Sequence, residues 1–105
     1  MTDEAMGMMK VATKEEIPLG TGKIIEVNGK TIALFNCEGT FYAIENFCKH
    51  QDGPLGEGIL SGTNVTCPWH GWGYDVRTGE CVTDPSVKVQ AFNVKLDGED
   101  ILVSV

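Results

Sequence analysis

Both histidines of this chain, and two of its four cysteines, fall in two short segments, Cys48-Lys49-His50 and Cys67-Pro68-Trp69-His70. Thiolate and imidazole hold a metal only when they meet at about 2.0–2.3 Å from it, so donors gathered this way demand a fold that brings two loops to one point. Unrelated packing is a poor explanation, because free cysteines prefer the apolar core and these segments run beside glycine and proline. A tetrahedral zinc module is one reading of the set. Such modules usually pair cysteine with cysteine and histidine with histidine, whereas here each segment offers one of each.

The rest of the sequence narrows the setting. With 105 residues the chain fits a single domain, residues 1–105. Eight Lys+Arg against fifteen Asp+Glu, a net charge of −7 and a pI near 4.6 argue against nucleic acid or an anionic membrane surface as partner. The opening MTDEAMGMM lacks a basic region and an apolar core, and no run approaches the ~18 apolar residues of a membrane span. A cytoplasmic protein is expected, in which cysteines are ligands, redox groups or buried apolar residues rather than disulfides.

Thirteen glycines and many short apolar runs indicate an all-β chain. Strands are expected over Met8–Thr13, Lys23–Val27, Thr31–Asn36, Thr40–Ile44, Asn64–Cys67, Gly73–Val76, Gln90–Leu96 and Ile101–Val105. Asn28-Gly29 and Asp97-Gly98 read as two-residue hairpin turns, with weaker signals at Glu38-Gly39 and Thr78-Gly79. Glu15-Glu16 before Pro18 allows a turn at most. Strands so short and numerous suggest a small antiparallel sandwich or barrel. Residues 46–85 interrupt the rhythm, and that glycine-rich block holds both tryptophans and both Cys/His segments.

The two segments resemble the Rieske signature, C-x-H followed by C-x-x-H. The resemblance continues through Gln51-Asp52-Gly53-Pro54-Leu55, Gly71-Trp72-Gly73-Tyr74-Asp75 and Thr78-Gly79-Glu80, with Asp84-Pro85 where the family places a covering loop. It implies a small antiparallel β fold with an inserted cluster-binding subdomain, and one [2Fe–2S] cluster per chain. Cys48 and Cys67 would then ligate one iron, and His50 and His70 the other. Neutral imidazole leaves less negative charge than thiolate, so the added electron settles on the histidine-bound iron.

Departures from the pattern select among Rieske settings. Gly53 and Trp69 stand where members from respiratory and photosynthetic complexes carry an extra cysteine pair. The chain length leaves no room for the mononuclear-iron domain of an oxygenase large subunit, nor is there a further histidine to serve one. The resemblance thus implies a monomeric ferredoxin, not itself an enzyme, that takes electrons from an NAD(P)H-dependent flavoprotein reductase and passes them to a terminal oxygenase. A small Rieske subunit of a larger, nitrite-reductase-like oxidoreductase is the alternative, and a zinc interaction module a more distant one. Trp72 replaces the serine of high-potential members, while Tyr74 keeps the tyrosine expected to donate to a ligand thiolate; the potential is expected below about 0 mV. Trp69 and Trp72 are expected to shield the cluster. Cys37, Cys81, Phe41 and Phe92 are assigned to the core.

Overall fold

The computed structural model describes residues 8–48, 53–69 and 71–104. Among the described residues ten strands form three antiparallel sheets: β1 (Met8–Thr13), β2 (Gly22–Val27), β3 (Lys30–Cys37), β4 (Thr40–Glu45), β5 (Ile59–Ser61), β6 (Asn64–Thr66), β7 (Gly73–Asp75), β8 (Ala91–Phe92), β9 (Val94–Asp97) and β10 (Asp100–Ser104). The sheet orders are β1-β10-β9, β2-β3-β4-β8 and β5-β6-β7.

The middle layer explains why the sequence is most apolar where it is. Every residue from Ile32 to Cys37 is buried, because β3 is covered on both faces. Ile32 and Leu34 join Phe41, Ala43, Ile101 and Val103 in one core, beneath the β1-β10-β9 sheet. Ala33, Phe35 and Cys37 point the other way and join Ile44, Cys48, Leu55, Val65, Cys67 and Tyr74 in a second core. Period-two alternation therefore sorts one strand's side chains between two cores. Phe35 alone, with no exposed surface, contributes about 1.5–3 kcal/mol by leaving water.

The turns follow backbone chemistry. Asn28 and Gly29 both take positive φ (52° and 77°) and join β2 to β3, and Glu38-Gly39 does the same between β3 and β4 at 54° and 96°. Both match the right-handed twist of the strands they join. The last hairpin is set one residue later than the sequence suggests. Asp97 pairs with Asp100, so the turn is Gly98-Glu99 with only Gly98 at positive φ, a glycine-first geometry in place of Asp97-Gly98. Thr78-Gly79 is likewise no two-residue turn: both amides return to the Asp75 carbonyl, and Asp75 N–H reaches Glu80.

Two further differences have physical causes. The expected strand Gln90–Leu96 divides at Asn93, whose carbonyl accepts the Ser104 N–H, so that β8 pairs with β4 and β9 with β10. One run of alternating residues crosses from one sheet to another. Strand β5 has three residues, and Ile59 on it is 77% exposed, so it carries no apolar pattern to betray it. The turn allowed near Glu15-Glu16 is a single 3-10 turn, Lys14–Glu16. Phe41 is buried, and Phe92 is partly buried with Lys30 Nζ 5.4 Å from its ring centroid.

Candidate metal centre

Two loops of the second core carry the cysteines. The first leaves β4 through Asn46 and Phe47 and is closed at its base like a short ladder. Leu55 N–H donates to the Asn46 carbonyl (2.6 Å), Phe47 bridges Pro54, and Cys48 N–H donates to the Gly53 carbonyl (2.9 Å). The second loop joins β6 to β7. Cys67 N–H donates to the Trp72 carbonyl (2.7 Å) and Gly71 N–H to the Cys67 carbonyl (3.1 Å), with Gly71 at φ 76° where the chain reverses. Only glycine adopts that reversal without steric cost.

The loops meet at sulfur. Cys48 and Cys67 are free, and only 1% and 3% exposed. A Cβ added to Gly53 would stand 2.4 Å from Cys67 Sγ, which places the second cysteine's sulfur against the stem of the first cysteine's loop. Tyr74 rises from β7 with no exposed surface, and its hydroxyl lies 3.3 Å from Cys48 Sγ. A thiolate has no proton to give, so in the metal-bound state the hydroxyl is the donor. Among the described residues no group of three or more His, Cys, Asp or Glu lies together. His50 and His70 lie outside the described residues. Two buried thiols on loops that touch at Gly53, with a hydroxyl beside one of them, are a donor set that suits a [2Fe–2S] cluster.

The other two cysteines belong to packing, as expected. Cys37 lies at the end of β3, and burial first, then the charges of Asp75 and Glu38, push its thiol above the ordinary value and keep it protonated. Cys81 is buried opposite Tyr74 in an isolated bridge, and its sulfur accepts the Asp84 N–H at 3.3 Å. Asp84 also accepts the Ser86 amide and hydroxyl, which holds its carboxyl below the usual range and shapes the turn around Pro85.

The tryptophans part company. Trp72 is partly buried and packs on the core, whereas Trp69 is 57% exposed, with its Cβ and Cγ beside Gly53. Two residues that the structure ties to these loops carry no signal in the sequence. Thr83 Oγ1 accepts the Gly73 N–H at 2.9 Å, anchoring the segment before Pro85 to the second loop. Asn46 Oδ1 accepts the Gly56 N–H at 2.8 Å at the base of the first. Polar residues next to loops are common, and only the backbone amides they meet distinguish these two.

The chain is similar to known proteins over most of its length. It is 34% identical, over 90% of its length and 91% of the relative's, to the ferredoxin component of the naphthalene 1,2-dioxygenase/salicylate 5-hydroxylase systems of Ralstonia sp.. The ferredoxin of carbazole 1,9a-dioxygenase from Nocardioides aromaticivorans superposes with a TM-score of 0.87 at 30% identity, covering 92% of this chain and 96% of that one. A ferredoxin solved in complex with its oxygenase in carbazole 1,9a-dioxygenase gives 0.85 at 29% identity, with 93% of each chain covered. The family model for the Rieske [2Fe-2S] domain matches residues 7–103, a span that contains both converging loops and the tyrosine between them, and the chain belongs to that family.

Proposed function

We propose that this chain is a one-electron carrier that takes an electron from an NAD(P)H-dependent flavoprotein reductase and delivers it to a terminal oxygenase. The observation that carries this reading is the extent of the likeness: the chain covers 91% of a relative that is itself named a ferredoxin component, so the match is to the carrier as a whole. The likeness to a ferredoxin solved in complex with its oxygenase supports the delivery step.

Within this reading, Cys48, His50, Cys67 and His70 hold the metal. When bound, a [2Fe–2S] cluster supplies one reversible one-electron couple. Cys48 and Cys67 provide thiolates from the buried side, and Tyr74 donates to the Cys48 sulfur. Gly53 closes the space beside Cys67 and keeps water from its sulfur. His50 and His70 provide the imidazoles. Residues 1–105 act as one Rieske domain with the ligand loops within 46–85, working as a monomer in the cytoplasm. Among the described residues no helix is long and apolar enough to cross a membrane.

The reading is tested by rapid mixing without oxygen. The dithionite-reduced protein, mixed with an oxidised Rieske terminal oxygenase, regains its oxidised visible spectrum as the oxygenase loses its own. NADH and a flavoprotein ferredoxin reductase then return the carrier to the reduced state. Failure to exchange an electron with any such oxygenase, together with co-purification of a large catalytic subunit, would contradict a diffusing carrier.

A further inference from the structure

We infer that Asn46 is a positioning residue that sets the distance between Cys48 Sγ and the Tyr74 hydroxyl. The inference rests on the carrier reading above, and it concerns a residue two positions before Cys48.

Asn46 and Asn36 are the buried polar residues among those described, and Asn46 is 2% exposed. A buried amide is costly unless its polar atoms are bonded. Asn46 spends three of its own on one junction. Its N–H donates to the Thr31 carbonyl on β3 (3.1 Å), its carbonyl accepts Leu55 N–H (2.6 Å), and its Oδ1 accepts Gly56 N–H (2.8 Å). Leu55 and Gly56 open the 3-10 turn Leu55–Glu57, whose first amides have no partner within the turn. One residue therefore ties the middle sheet to two consecutive amides on the far side of the ligand loop.

Water is a poor substitute at this junction. A Cβ on Gly56 would stand 2.5 Å from Ile24 Cγ1 and 3.0 Å from Asn46 Oδ1, so the turn is pressed against β2 and the Asn46 side chain, and with Asn46 only 2% exposed bulk water has little access to it. Inside the Asn46 contacts come the Phe47–Pro54 bridge and the Cys48–Gly53 hydrogen bond, and then the loop tip. Tyr74 is held by pairing with Val65 across β6–β7 and by the bridge to Cys81. Cys48 and Tyr74 share the second core, but different backbone bonds place them, and those on the Cys48 side begin at Asn46.

The test is a double-mutant cycle read by electrode titration of the holoprotein, which needs no partner protein. Asn46→Ala, which removes the Oδ1 acceptor, lowers the midpoint potential in the wild-type background, by no more than Tyr74→Phe does. In the Tyr74→Phe background the same substitution leaves the potential unchanged, since the contact it loosens is already gone. Asn46→Asp keeps an acceptor for Gly56 N–H and adds a charge, so its shift is equal in both backgrounds. If Asn46→Ala does not retain the cluster, Asn46→Ser, too short to reach Gly56, carries the same comparison. Hydrogen exchange of the 46–56 segment, faster in the variant while β3 stays protected, supports the same conclusion. An Asn46→Ala or Asn46→Ser shift that is absent, or equal in both backgrounds, overturns the role of Asn46 and leaves the carrier reading intact. A wild-type protein without an iron–sulfur spectrum overturns both.

Discussion

The Tyr74 hydroxyl stands 3.3 Å from Cys48 Sγ, with the two residues 0% and 1% exposed, so water does not compete for the contact. A hydrogen bond to a thiolate counters its negative charge and favours reduction of the metal it binds. Tyr74→Phe keeps the ring and removes the donor. If the bond differs between redox states by about 1 kcal/mol, the potential falls by roughly 45 mV, since a tenfold change is 59 mV for one electron. Redox titration checks this, and the wild-type value is expected below about 0 mV, in the lower part of the Rieske range. An unchanged midpoint in the variant would count against the contact, and a wild-type value near +300 mV against the low placement.

Gly53 leaves no room for a side chain. A Cβ there would stand 2.4 Å from Cys67 Sγ and 3.3 Å from Trp69 Cγ. Gly53→Ala must push one cysteine's loop off the other, at a cost of about 1–3 kcal/mol in packing. The expected outcome is a folded protein with reduced iron and acid-labile sulfide per chain. Full loading in the variant would show that the loops do not close on each other as described.

Two glycines with similar φ separate strain from crowding. Gly62 has φ 62° and open space around its Cβ position, whereas Gly79 has φ 84° and a Cβ position 2.0 Å from the Val89 carbonyl oxygen. Gly62→Ala should cost about 1–2 kcal/mol, from backbone strain alone. Gly79→Ala adds a backbone collision and should cost roughly 2–5 kcal/mol in all. Urea unfolding of the two variants measures the difference, and equal losses would refute it.

Glu16 links two sheets near the end of β1. Its carboxylate accepts Thr13 N–H (2.7 Å) and pairs with Lys23 Nζ on β2 (2.8 Å), and the Lys23 contact is the largest cause of a pKa lowered from 4.5 to about 2. A carboxyl whose folded value is depressed adds stability above its unfolded value and loses it as the pH falls. The contribution is therefore whole above about pH 5 and fades between pH 4.5 and 2. Wild type should exceed Glu16→Gln in urea midpoint at pH 7, with the gap closing by pH 2. The carboxylate is exposed to solvent, which keeps the gap small, and added salt narrows it further.

Much of this was legible in the residues, for reasons that differ by element. Strands β1 to β4 were read within about a residue because each is long enough for alternation to show, and β3 is apolar throughout because it serves two cores. Cys48 and Cys67 stand out by their spacing to histidine, and in the structure Cys67 Sγ lies against Gly53 of the loop that carries Cys48. The short strand β5 and the sheet change at Asn93 were not legible, since tertiary pairing rather than pattern decides them. Trp69, expected to shield the cluster, is 57% exposed, a degree of exposure that residue type alone does not reveal. Asn46 and Thr83 act through backbone amides, and amides leave no mark in a sequence.

The central claim is that Cys48 and Cys67 hold one iron, and His50 and His70 the other, in a single [2Fe–2S] cluster. Paramagnetic resonance of the dithionite-reduced protein, with resolution of nitrogen hyperfine couplings, addresses it most directly. The expected result is a reduced [2Fe–2S] signal with two coordinated imidazole nitrogens, lost when either histidine is replaced. A reduced cluster without nitrogen coupling, or a colourless protein that contains zinc and no iron, would contradict it.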